Sequence, residues 1–420
     1  MLSMDYIIEN KEKVKQMIKD REKEVDVDLL IQTYHSLNSI KKEVEGLRQK
    51  RNSSSNEVNK LKKEGKNANN IISQMKEVVL ALKEKEPQLE QLQKNFDMLK
   101  YQVPNILDDR VPRGNENKEE YIDAQIKEFS FEPKTNWDVL TDLGLADFKR
   151  GIKASGDRGW ILNGDGARLV RAITNYLLDF WRAKGYFEVH PPYFVNEENL
   201  YITGHYPGGE KEVYRTEDGK VFVGTAEISI MSIYANETFN KKNLPLKITA
   251  YTPCFRREAG TNKDDKGLYR THQFDKVELI HITTKEKVQE EYEGIFENMK
   301  ELYKSLELPF RIITLRANDM AGKAKIERDM EVWLGAEKRW AEVGSIGDTG
   351  DFQCRRGNIR YEGDGKLEYA HSIYATGGVA NRILISILNN NQKEDGTITI
   401  PKVLQPYVGG MKLLKKIDLI

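Results

Sequence analysis

The chain has 420 residues, with 66 lysines and arginines against 66 aspartates and glutamates, and is 39% apolar and 31% charged; this allows two or three domains, and no run of about 18 uncharged apolar residues exists to span a bilayer. Its only cysteines, Cys254 and Cys354, exclude a disulfide framework and a multi-cysteine zinc site, so no zinc is expected. A net charge of zero means that any nucleic-acid surface must be a local patch.

The N-terminal stretch MLSMDYIIENKEKVKQ carries acidic residues and has no apolar signal-peptide core, which points to a cytoplasmic protein. From Leu37 the apolar positions follow a heptad: Leu37, Val44 and Val58 on one seam position, Ile40, Leu47 and Leu61 on the other. Arg51 and Ser54 interrupt this seam, so packing should loosen along the helix. After the polar stretch KKEGKNANN the pattern resumes with Met75, Leu82, Leu89, Phe96 and Val103 facing one way, and Val78, Leu92 and Leu99 completing the seam. The break reads as a turn, and two heptad helices joined by a turn fold back into an antiparallel hairpin of roughly 50 Å. Pro87 removes a backbone donor from the second arm and predicts a kink or a local interruption. Residues 41–70 hold nine Lys/Arg against four Glu, the one local basic excess.

The hairpin domain is expected over 1–107, a polar connector over 108–135 and a second domain over 136–420. Strands are expected at Val221–Val223, Leu246–Thr252, Lys276–Thr283 and Arg311–Leu315, with amphipathic helices at 167–184 and 285–305. Strands and helices without regular βαβ alternation predict an α+β domain built on a largely antiparallel sheet.

The segment from Tyr251 to Ile280 reads as strand, charged loop, strand. Arg256, Glu258, Arg270 and Glu278 lie on or beside the strands, with Phe274 among them. Guanidinium groups suit phosphate and an aromatic ring suits a base, so this platform points to a nucleotide. His205 and His272 have no spacing that suggests a metal or acid–base chemistry.

The run FRREAG…GLYRTHQFDKVE resembles motif 2 of the class II aminoacyl-tRNA synthetases in the seryl form. GDGARL…FWRAKGYFEVHPPYFVN resembles motif 1, with Pro192 at the motif's proline, and ATGGVANR resembles motif 3. VGTAEISI is similar to the segment that family uses to hold the amino acid. The resemblance covers the whole chain. It implies activation of L-serine by ATP to seryl-adenylate and transfer to tRNA(Ser), by a homodimer joined through motif 1. It also implies roles by position. Arg256 would hold the α-phosphate, Glu258 the adenine end, Phe274 the base, and Arg270 and Arg382 the outer phosphates, with Arg256 and Arg382 the catalytic pair. Glu342 and Ser345 would hold Mg²⁺ against the phosphates, an all-oxygen site. Thr225, Glu227, Arg256, Glu278 and Thr376 would form the serine pocket, the carboxylates facing the ammonium and Thr376 reading the hydroxyl. Lys50, Arg51, Lys60, Lys62 and Lys63 on the hairpin would meet tRNA phosphates.

The pattern departs from the family at two places near the amino acid. The stretch that usually reads Ser-Ser-Cys-Ser-Asn-Cys is Gly344-Ser345-Ile346-Gly347-Asp348-Thr349, and the asparagine that opens motif 3 is Tyr374. Gly377-Gly378 also stands where a bulkier pair is usual. These changes leave two alternatives beside serine activation: a divergent paralogue that activates another small amino acid or serves a carrier protein, and an inactive dimeric scaffold.

Overall fold

The computed structural model describes residues 1–259 and 267–417. The chain divides into two compact units, Leu2–Pro104 and a larger one from Asn105 onward.

In the smaller unit, two short helices, α1 (Met4–Glu9) and α2 (Lys11–Asp20), precede the long arms α3 (Val27–Lys63) and α4 (Asn69–Gln102). Asp26 starts α3 by accepting the Leu29 amide at 2.8 Å, satisfying an orphan donor of the first turn. The arms meet on the heptad seam: Ile40, Val44 and Leu82 are buried together, flanked by Leu47, Val78, Leu89 and Leu92. Tyr34 and Phe96 stack across it with ring centroids 5.6 Å apart. Arg51 is exposed and Ser54 half-buried, the loosening expected of polar seam residues, although Val58 is buried beyond them. Arg48 and Lys85 bridge the arms to Glu86 and Glu43. The helix runs through Pro87 without the interruption considered above. Pro87 is exposed, so the Lys83 carbonyl that loses its amide partner opens toward water rather than into the seam.

The larger unit is built on an eight-stranded sheet. In chain order its strands are β1 (Lys118–Asp123), β2 (Phe187–Glu188), β3 (Leu246–Phe255), β4 (Gln273–Thr283), β5 (Phe310–Thr314), β6 (Ile326–Leu334), β7 (Arg339–Gly350) and β8 (His371–Val379). Across the sheet they run β1-β5-β6-β7-β8-β4-β3-β2, and every pairing is antiparallel except that of β2 with β3. The edge strand β1 lies inside the stretch read as connector. Helices α5 (Gly164–Ala183), α6 (Ala226–Ile233), α7 (Val288–Ser305) and α8 (Ala380–Asn390) pack on the sheet. The apolar stripe of α5, Leu169, Ile173, Leu177 and Trp181, is fully buried, and the Trp181 indole donates to the Gly377 carbonyl at 2.8 Å. An added Cβ at Gly377 would come within 2.8 Å of that indole nitrogen, so the glycine lets helix and strand approach. The expected strands and helices are present; β6, β7, β8 and α8, which supply much of the cavity wall, were not anticipated.

Candidate active site

Side chains alternate across a strand, so residues two apart on adjacent strands gather on one face. Phe274, Lys276 and Glu278 of β4, Tyr374 and Thr376 of β8, and Ser345 of β7 line one polar cavity of about 370 Å³. Thr225, Glu227, Arg256, Arg270, Glu342 and Arg382 also line it. Of the residues assigned to nucleotide and amino acid, Glu258 alone stands off the cavity wall. It pairs with Arg270 at 3.2 Å, and its backbone is left-handed at φ +49°, a strained state for a non-glycine residue. The polar loop expected between β3 and β4 lies largely outside the described residues.

At one end of the cavity the groups are cationic and aromatic. The Arg256 guanidinium lies 5.2 Å from the Phe274 ring centre, joining cation and ring in one platform, and it donates to the Gly224 carbonyl at 3.2 Å. Arg382 sits over Tyr269 and pairs with Glu342 at 3.0 Å. That guanidinium holds the Glu342 carboxyl below its usual range, so Glu342 is ionised. Glu342 and Ser345 are three apart, which on a regular strand would place them on opposite faces. The register of β7 against β6 shifts between Glu342 and Gly344, and this bulge brings both to the cavity. A carboxylate and a hydroxyl on one wall beside the guanidinium groups form an oxygen donor set that fits a hard divalent cation held with a polyphosphate.

At the other end, carboxylates and ammonium groups interlock. Thr225 caps α6 and donates its hydroxyl to Glu278 at 2.5 Å, while Lys276 donates to the Thr225 hydroxyl oxygen at 2.9 Å and pairs with Glu278. Burial lifts the Glu278 carboxyl even so. Both oxygens of Glu227 are engaged: Lys323 donates to each, at 2.6 Å to Oε2, and the Gln353 amide donates to Oε1 at 2.6 Å. Burial pushes Glu227 up, but the Lys323 ammonium together with the other neighbours, the Gln353 hydrogen bond among them, holds the carboxyl below its usual range. His205 accompanies them, its ring nitrogen 2.7 Å from the Thr203 hydroxyl; burial, with Lys323 nearby, pushes it down to about 3, so the imidazole is neutral.

The two departures from the family pattern form one structural unit. In register across three strands, Gly347 of β7 stands between Glu327 of β6 and Tyr374 of β8. The Tyr374 ring lies over Gly347 and its hydroxyl donates to Glu327 at 2.6 Å. A Cβ at 347 would fall 2.3 Å from the ring, which is impossible without repacking. Likewise a Cβ at Gly344 would meet Thr376 at 2.9 Å. Burial raises the Glu327 carboxyl, and burial beside Glu327 raises the Tyr374 phenol well above its ordinary value, so the phenol keeps the proton it donates to Glu327.

Lys276, Lys323, Glu327, Gln353 and His205 belong to the site and were not assigned from sequence. Lys276 could have been found, because it alternates with Phe274 and Glu278 on one strand. Lys323 and Glu327 lie in ANDMAGKAKIERDMEV, where nothing in the local pattern marks a site. A second cavity, about 620 Å³, is walled mainly by Trp160, Tyr214, Phe222 and Phe255 and lacks such a charge network. On the hairpin, Lys50, Arg51, Lys60, Lys62 and Lys63 are all exposed, and among the described residues none forms an ion pair.

Residues 1–107 match the family described as the seryl-tRNA synthetase N-terminal domain, and residues 212–391 match the class II core domain of the tRNA synthetases for G, H, P, S and T. A serine–tRNA ligase of Pseudothermotoga lettingae is 39% identical over 97% of this chain and 99% of its own length. One from Clostridium tetani is 35% identical over 99% and 100%. Among solved structures, the seryl-tRNA synthetase of Pyrococcus horikoshii complexed with ATP superposes with a TM-score of 0.88 at 32% identity, covering 100% of both chains.

Proposed function

The chain belongs to the seryl-tRNA synthetase family, matching its relatives end to end, and from that premise we propose that its polar cavity carries out both steps of a serine–tRNA ligase. In the first, a carboxylate oxygen of L-serine attacks the α-phosphorus of ATP, the bond to the β-phosphate oxygen breaks, and pyrophosphate leaves. In the second, a ribose hydroxyl at the tRNA 3′ end attacks the seryl carbonyl, forming the ester and releasing its proton, and AMP leaves with the electron pair of the broken acyl–phosphate anhydride bond.

The observation that carries this reading is the polarity of the cavity, cationic and aromatic at one end, interlocked carboxylates and ammonium groups at the other. Arg256 neutralises charge that grows on the α-phosphate as the carboxylate attacks, and it also draws the serine carboxylate to that point. Phe274 supports the base, with Glu258, paired to Arg270, at the adenine end. Arg270 and Arg382 hold the outer phosphates. Glu342 and Ser345 would hold Mg²⁺, which when bound would supply charge neutralisation at the phosphates. Glu278 and Thr225 receive the α-ammonium, whose positive charge offsets the burial that raises the Glu278 carboxyl. Thr376 accepts a hydrogen bond from the substrate hydroxyl. No side chain acts as nucleophile; rate comes from positioning and fixed charge.

The hairpin completes the reading. Its five exposed cations without carboxylate partners suit tRNA phosphates, and the protein works as a cytoplasmic homodimer. Serine-dependent exchange of pyrophosphate into ATP tests the activation step, and charging of tRNA(Ser) the transfer. Exchange with another amino acid and none with serine overturns the reading.

A further inference from the structure

Glu227 faces the cavity, but three of its roughly four acceptor sites are already filled, two by Lys323 and one by Gln353, so it is poorly placed to take a substrate ammonium. What it presents instead is Lys323. Two of the three ammonium protons lie on Glu227, and the nitrogen stands 4.2 Å from the centre of the Tyr374 ring. The arrangement is supported from behind: the Gln353 amide donates to Glu227 and to the Thr203 carbonyl at 3.0 Å, and Ser372 donates to the Gln353 carbonyl oxygen at 2.9 Å. Lys323 is 7% exposed. A lysine normally keeps about four rotatable bonds in motion; here the head is held by a carboxylate and a ring face.

We propose that Lys323 is the specificity-determining residue of the amino-acid pocket, its remaining ammonium proton donating to the side-chain oxygen of the substrate. This rests on the function proposed above and assigns the recognition chemistry within it. Serine's hydroxyl accepts from Lys323 and donates to Thr376, so both halves of the hydroxyl are read. Alanine leaves the buried ammonium one acceptor short, and a site built to bond a hydroxyl penalises the analogue that lacks it. Glu227, Gln353 and Ser372 are then positioning residues that act through Lys323.

The test compares serine and alanine in ATP–pyrophosphate exchange by the full-length protein. In Lys323→Met, kcat/KM for serine should fall roughly ten- to a hundred-fold while that for alanine changes little, so discrimination collapses, and the KM for ATP should stay put. Because that change also strands Glu227 as a buried charge, Lys323→Met/Glu227→Gln is measured beside it. Persistent loss of discrimination in the double variant supports the proposal. Restored discrimination there, an unchanged serine-to-alanine ratio in Lys323→Met, or a lower KM for serine in that variant overturns it, since each means that the lysine only neutralises Glu227. If the unaltered protein gives no serine-dependent exchange, the parent reading falls with it; serine-dependent exchange with an unmoved ratio removes this inference alone.

Discussion

At position 347 the missing side chain is what allows Tyr374 to reach Glu327, because the ring occupies the volume a Cβ would need. Gly347→Ala should therefore destabilise the larger unit by about 1–3 kcal/mol, as overpacking of a tight core does. Urea unfolding measures it, and the cost should shrink in a Tyr374→Ser background, since the two sites share one space. His205 makes a second prediction at this scale. Its native pKa, down to about 3 by burial, lies below the unfolded value near 6.5, so unfolding takes up a proton as the medium turns acidic. Stability from keeping it neutral is intact above about pH 6.5 and erodes on acidification toward about pH 3, by up to about 1.4 kcal/mol per pH unit. His205→Gln should flatten that part of the acid limb relative to the unaltered protein; parallel urea midpoints at neutral and mildly acidic pH would contradict it.

Among the elements, the hairpin was legible because a heptad is a periodic signal sustained over both arms, and the helices end close to where the pattern does. Pro87 was legible as a disruption but not in its consequence, because sequence spacing marks the lost amide without saying that it faces water. With the residue exposed, Pro87→Ala should stabilise α4 by roughly 3 kcal/mol or less, read as a higher thermal midpoint by circular dichroism of the full chain. In the larger unit, strands β3, β4 and β5 stood out by runs of β-branched and aromatic residues. Strands β7 and β8 did not, because positions at the site such as Ser345, Gly347 and Thr376 are small or polar, chosen for what the cavity holds rather than for sheet propensity. The assigned side chains were found through motif resemblance. Lys323 and Glu327 were invisible, because their partners Glu227 and Tyr374 are remote in sequence: sheet register brings Glu327 to Tyr374, and packing of helix α6 brings Glu227 to Lys323.

For the molecule as a whole, the division into two compact units separates the chemistry from the exposed cations of the hairpin. Removing residues 28–102 should leave serine-dependent pyrophosphate exchange within a few-fold of the full chain while charging of tRNA(Ser) is lost. Charging that survives the deletion would refute a tRNA role for the arm. Binding of tRNA should also weaken steeply with salt, and replacing Lys60, Lys62 and Lys63 by alanine should lower the slope of log affinity against log salt by about two to three. The row of Glu327, Gly347 and Tyr374 carries an evolutionary consequence as well. A side chain at 347 and a tyrosine at 374 compete for one volume, so the cost of changing either depends on what already stands at the other. A larger residue at 347 is costly while the ring is in place and tolerated once it has gone, so the order in which the two positions change matters to any descendant of this pocket.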